Sequence, residues 1–173
     1  MIQLSKADML DRLRKLDIDA SLLHPNDEMF SVIIVGGSAL ILGDYTQNVT
    51  KDIDVIGATK DLHNLFWKYD MNCDVSAYMS NFPMKYEDRL VLFMEGKKIV
   101  FYTVSLEDIV ISKLCGGRPT DLEDVATVAN NIDWDLLEIL ATEEDELKAN
   151  IMNDKDYFFF YENYKDYVGK YRP

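Results

Sequence analysis

The sequence predicts a sheet-bearing part of the α+β or α/β class over residues 1–104, followed by a wholly helical part over 105–173 packed on it as one compact unit. Three observations lead there. MFSVIIV (29–35) is apolar on both faces, the pattern of a buried strand. TKDIDVIG (50–57) alternates carboxylates with Ile53 and Val55, the period-two pattern of a strand with one face buried. Beyond residue 105, apolar residues recur at helical spacing and no strand pattern returns.

In chain order, SKADMLDRLRKL sets Met9, Leu10, Leu13 and Leu16 in a helical stripe, with Ser5 as N-cap. HPND interrupts the chain before the MFSVIIV strand, and SALILGD after the glycines reads as a short helix. The strand in TKDIDVIG is followed by a helix in KDLHNLFWKYD and a third strand in MNCDVSAYM. A loop around NFPMKYED leads to RLVLFMEGKKIVFYTVS, whose apolar runs flank Glu95-Gly96-Lys97 as in a hairpin. SLEDIVISKL is a helix capped by Ser105, with Asp108 at N3 as in a capping box. Thr120 is the candidate cap of the next helix, and WDLLEILATEEDELKANIM and KDYFFFYENYKDYVGKY supply two further helical segments.

Composition excludes several classes. Of 173 residues, 48% are hydrophobic and 12% aromatic, enough for a substantial core, so disorder is not expected. The N-terminus alternates charged and apolar residues and lacks the apolar stretch of a signal peptide. SVIIVGGSALILG is too short to span a bilayer. The expectation is a cytoplasmic protein that does not engage a membrane. Cys73 and Cys115 form no CxxC pair and read as reduced thiols, and neither His24 nor His63 has a Cys or His at zinc-ligand spacing. A formal charge of −13 discourages non-specific contact with nucleic acid, although a local basic cleft remains compatible with it.

The chemistry concentrates between Gly36 and Val55. A strand ending in Gly36-Gly37-Ser38 and entering a helix presents backbone N–H groups to an anion, with no Cβ to keep a phosphate away and with the Ser38 hydroxyl as a further donor. By itself a Gly-Gly turn is too common to specify this, and there is neither a GxGxxG nor a GxxxxGK[ST] fingerprint. Asp52 and Asp54 share one strand face, where like charges repel unless a cation lies between them. Hard oxygen ligands beside a phosphate site are the chemistry of Mg²⁺.

Gly37-Ser38, thirteen residues, then Asp52-Ile53-Asp54-Val55 resembles the signature of the polymerase-β-like nucleotidyltransferase superfamily. Lys113-Leu114-Cys115-Gly116-Gly117-Arg118 followed by Asp121-Leu122-Glu123-Asp124 resembles the second motif of AbiEii-type nucleotidyltransferase toxins and related bacterial proteins, with Thr120 where a basic residue is usual. The resemblance implies a mixed β-sheet flanked by helices, with a helical C-terminal half. It implies Mg²⁺ or Mn²⁺ on Asp52 and Asp54, and a nucleoside triphosphate contacted by Gly36, Gly37, Ser38, Lys113, Arg118 and Asp121. Asp52, Asp54 and Lys113 would serve catalysis together with a third carboxylate. Asp74, in the next expected strand, leads for that place over Glu95 at the hairpin turn and Glu87 and Asp88 in the loop.

The implied reaction moves a nucleoside monophosphate to a hydroxyl on an RNA 3′ end such as that of tRNA, on a protein, or on a small molecule such as an antibiotic. A role in a toxin–antitoxin or phage-defence system would bring a cognate antitoxin as partner; a catalytically silent binding module is the rival reading. Without the resemblance, Lys113 and Arg118 read equally as partners of Asp121 and Asp124. The aromatics of DYFFFYENYKDYVGKY, at helical spacing in Phe160, Tyr164 and Tyr167, read as a core or partner-facing stripe before a base-stacking surface.

Overall fold

The computed structural model describes residues 3–173. The chain divides into two compact units, Met1–Val75 with Leu90–Val104 and Ser76–Arg89 with Ser105–Pro173.

The first unit carries a five-stranded mixed sheet. Its strands are β1 (Phe30–Val35), β2 (Ile53–Ile56), β3 (Met71–Asn72), β4 (Val91–Glu95) and β5 (Ile99–Thr103), in the order β3-β2-β1-β5-β4. β1 runs antiparallel to β2 and parallel to β5, β2 and β3 are parallel, and β4 and β5 form the expected antiparallel hairpin. Helices α1 (Lys6–Leu23), α2 (Gly36–Leu42) and α3 (Thr59–Lys68) belong to the same unit. A capping box between Ser5 and Asp8 opens α1, which buries Met9, Leu13, Leu16 and Ala20. Val32 and Ile34 of β1, Ile53 and Val55 of β2, and Phe66 of α3 are wholly buried. β1 is less uniformly enclosed than its composition suggests, since Ser31 is exposed and Ile33 half-buried.

Asp17, buried on α1, ties this unit together. Its carboxylate accepts the N–H groups of Lys97, Lys98 and Ile99, each at 2.8 Å, and so satisfies the turn between β4 and β5. Gly96 makes room for it, because a Cβ there would lie 2.4 Å from the carboxylate.

The second unit is helical, with α4 (Leu106–Gly116), α5 (Pro119–Val128), α6 (Trp134–Thr142), α7 (Leu147–Asn150) and α8 (Asp154–Tyr171). Ser105 caps α4, and Asp108, buried, pairs with Arg89 at 2.8 Å. On α8 the stripe of Phe160, Tyr164 and Tyr167 is buried, while Phe158 and Phe159 are exposed. Tyr167 donates its hydroxyl to the Val125 carbonyl at 2.7 Å. No described helix is long and apolar enough to cross a membrane.

Three elements differ from expectation. The third strand stops at Asn72, because the Asn72 side chain accepts the Asp74 N–H at 3.1 Å and turns the chain toward a 3₁₀ segment at Ser76–Asn81. α5 begins at Pro119, ahead of Thr120: proline suits the first helical position, and the Asp121 carboxylate accepts the Arg118 N–H. The WDLLEILATEEDELKANIM helix breaks after Thr142, where four adjacent carboxylates, Glu143 to Glu146, would crowd the negative end of a helix dipole.

Replacing Asp17 by Ala leaves three N–H groups without their acceptor and should cost about 3 kcal/mol, read from urea unfolding. Asp17→Asn keeps one acceptor oxygen and should lose less.

Candidate functional site

The strand order brings Val35, Asp54 and Asn72 into one row across β1, β2 and β3. Directly after Val35, Gly36 takes φ +65°, a left-handed conformation open to glycine at little cost, and α2 starts there. A Cβ on Gly36 would lie 3.1 Å from Asp54 Oδ2, so the glycine lets the carboxylate sit against the backbone. On its other side Asp54 Oδ1 accepts the Asn72 side-chain N–H at 2.7 Å. Gly37 differs: a Cβ there meets nothing within 4 Å and would project into open space. Ser38 is buried, and its hydroxyl donates to the Val35 carbonyl at 2.8 Å.

Asp52 lies in the bend immediately before β2, half-buried. It lines a cleft of about 730 Å³ together with His63 and Trp67 of α3, Asp70, the residues of β3, Cys73 and Asp74. Asp74 is exposed, two residues beyond Asn72, so Asp52 and Asp74 border the same cavity. Cys73 Sγ lies 3.7 Å from His63 Nδ1. Cys73 and Cys115 are both free. Glu95 ends β4 and is exposed, and Glu87 and Asp88 lie in a 3₁₀ turn at Tyr86–Arg89. Among the described residues no group of three His, Cys, Asp or Glu side chains is arranged to hold a metal ion. An ion at this sheet end would take most of its ligands from water or substrate.

Lys113, Arg118 and Asp121 belong to the helical unit. The buried Lys113 ammonium pairs with Asp124 at 2.7 Å and Asp121 at 3.3 Å. Arg118, largely exposed, places its Nε 2.7 Å from Asp121 and its second guanidinium donor 3.1 Å away. Burial alone would raise the Asp121 carboxyl, but the Arg118 hydrogen bonds and the Lys113 charge outweigh it and hold the group below its ordinary value.

Sequence reasoning missed Asn72, the side chain that holds Asp54, and the face that α3 presents to the cleft. The i, i+4 spacing of His63 and Trp67 was a readable signal for that face. For Asn72 no pattern singles out one amide ahead of the strand pairing.

The two glycines should respond differently. Gly36→Ala combines a left-handed φ with a close approach to Asp54 and should cost about 1–2 kcal/mol in thermal unfolding. Gly37→Val should leave the fold nearly unchanged, with any effect confined to ligand affinity. In the helical unit, a carboxyl held below its ordinary pKa contributes stability that is complete above that ordinary value and is lost as pH falls through the lowered one. Asp121→Asn should therefore reduce stability at neutral pH and flatten its decline on the acid side, measured as urea midpoints across pH.

Searches among curated proteins and among solved structures returned no match. The family model described as "Nucleotidyltransferase of unknown function (DUF6036)" matches residues 11–172, nearly the whole chain. With the glycine turn and the Asp54 row at one end of a mixed sheet, the chain belongs to this nucleotidyltransferase family.

Proposed function

We propose that the chain transfers a nucleoside monophosphate from a nucleoside triphosphate to an acceptor hydroxyl, with Asp52 and Asp54 as the ligands of Mg²⁺ or Mn²⁺. The observation that carries this reading is the Asp54 carboxylate set against Gly36, at the turn where Gly37 faces open space. Triphosphate oxygens reaching the Gly36–Gly37 backbone would come close to the carboxylate that shares their cation. The donor set fits a hard divalent ion completed by phosphate and water, and it does not form an all-protein cage. Such an ion, when bound, screens the carboxylates from the phosphates and stabilises charge on the departing oxygen.

In the step itself, the acceptor oxygen bonds to the α-phosphorus and the bond from that phosphorus to the bridging oxygen breaks. Pyrophosphate leaves with the electron pair, and the hydroxyl proton passes to a cleft carboxylate. Asp74, bordering the cavity that Asp52 lines, is the proposed third carboxylate. Asn72 orients Asp54 by donating to one oxygen, which turns the other toward the glycine turn. The Lys113 to Asp124 segment supports kinship with AbiEii-type toxins, where an RNA 3′ end such as that of tRNA, or a protein, would accept the nucleotide and an antitoxin would restrain the enzyme.

One observation favours a second reading, a catalytically silent binding or regulatory module: β3 ends before Asp74, and among the described residues no three His, Cys, Asp or Glu side chains are arranged to hold a metal ion.

Thermal unfolding with and without ligands separates the two. Mg²⁺ or Mn²⁺ plus a nucleoside triphosphate at a hundredfold excess over the dissociation constant should stabilise the wild type by about 2.7 kcal/mol. Asp52→Asn and Asp54→Asn should keep the stability of the unliganded protein and lose this increment, together with transfer of labelled nucleotide. Stabilisation without any label transfer to tRNA, protein or small-molecule acceptors would establish the silent module. No stabilisation in the wild type with all four nucleotides would remove the transferase reading and leave the silent binding module.

A further inference from the structure

The helical unit holds a cavity of about 620 Å³ lined by α4, α5 and α8. Leu114, Val125 and the Tyr167 ring, all buried, form its floor, and Leu122, 40% exposed, forms one wall. At about 100° per residue, Leu122 and Asp124 lie on opposite flanks of Val125, so the Lys113–Asp124 pair is on the other side of α5. On α8 the lining residues Asn163, Asp166, Tyr167 and Lys170 follow at i, i+3, i+4 and i+7 and share one face. Asp166 and Lys170 stand one turn apart with the acid first, the order that favours an ion pair. Asp11 with Lys15 and Glu144 with Lys148, spaced alike, close to 2.6 Å. Asp166 and Lys170 do not. Among the described residues neither enters an ion pair, and the Lys170 ammonium lies 5.1 Å from the Tyr171 ring centroid. Lys165, also on the rim, is held by Glu162 at 2.6 Å, with Asp166 a lesser influence out of contact. Gly169 lines the cavity too, and a Cβ there would meet nothing within 4 Å. Packing within the protein does not call for a glycine in this helix, where alanine would be more stable; its effect is to leave the cavity open.

We propose that this cavity binds a free aromatic α-amino acid, tryptophan or tyrosine, as its zwitterion. The ligand carboxylate pairs with Lys170 and its ammonium with Asp166, two opposite charges set side by side and not satisfied by each other. The ring lies on Leu114, Leu122 and Val125. Asn163 donates its amide N–H to the Leu114 carbonyl at 2.9 Å, which leaves Oδ1 to accept an indole N–H or a phenol O–H. Charge complementarity selects this occupant. A peptide terminus supplies one of the two charges, and a nucleotide phosphate or fatty acid brings only negative charge to the Asp166 side. The volume falls in the range of about 300–1,000 Å³ usual for small-molecule sites. The proposal concerns the helical unit by itself and does not rest on the transferase reading.

Calorimetric titration of the full chain, without nucleotide or metal, compares L-tryptophan and L-tyrosine with the amide of each, which lacks the carboxylate, and the deaminated acid of each, which lacks the ammonium. At least one of the two amino acids should bind, and its amide and deaminated acid should each bind about tenfold more weakly. Asp166→Asn should weaken the amino acid and spare its deaminated acid, whereas Lys170→Gln should weaken the amino acid and spare its amide. Gly169→Leu should fill the cavity and abolish binding, with the melting temperature held or raised because leucine is the better helix former. Circular dichroism verifies the fold of each variant. Three results would overturn the inference: no binding of either amino acid, an amide or deaminated acid that binds as tightly as its parent, or undiminished binding in folded Gly169→Leu.

Discussion

The sheet end depends on one close approach: the Asp54 carboxylate against the Gly36 backbone. It requires β1 and β2 to pair antiparallel with Val35 opposite Asp54, and it requires the first residue after β1 to adopt a positive φ without a side chain. A shift of one residue in that pairing would turn Asp54 to the opposite face and bury a carboxylate where Ile53 and Val55 now pack. The buried apolar partners of β2 therefore fix the charged residue indirectly. Asn72 completes the arrangement from the third strand, which needs only two residues to do so.

The helical unit solves a different problem, that of burying charge. Asp108, Lys113 and Asp121 are all enclosed, and each has partners of opposite sign. Asp121 answers to both Lys113 and Arg118 while also accepting a helix N-terminal N–H. Networks of this kind add little net stability over an apolar core, yet removing one member leaves another charge stranded. They hold the α4–α5 connection in one geometry, helped by Gly117 at φ +60° and by Asn163 donating to the Leu114 carbonyl.

Much of the fold was legible because long segments repeat one signal. The MFSVIIV strand, the hairpin around Gly96, and the helices capped by Ser5 and Ser105 rest on periodicity and capping chemistry, which act locally. What escaped was decided by contacts that a linear reading does not hold. The early end of β3 follows from a single Asn72 side chain, and the break between α6 and α7 from clustered carboxylates. Near the sheet end, the glycine turn and its neighbouring aspartates stood out as a departure from strand logic. The aromatic wall of Trp67 did not, because an exposed tryptophan on an amphipathic helix carries the same letters as a buried one. Asp17 was equally hidden: in sequence it is one more acid on a charged helix.

Asp17 also bears on how the first unit comes apart. Its partners lie 80 to 82 positions along the chain, so the contact closes a long loop and forms only after α1 and the hairpin have met. If the contact is absent from the folding transition state, it slows unfolding without hastening folding. The amides of Lys97, Lys98 and Ile99 thus become internal reporters. Their exchange with solvent hydrogen is expected to follow the opening of the whole unit, ahead of which the outer turns of α1 can open locally.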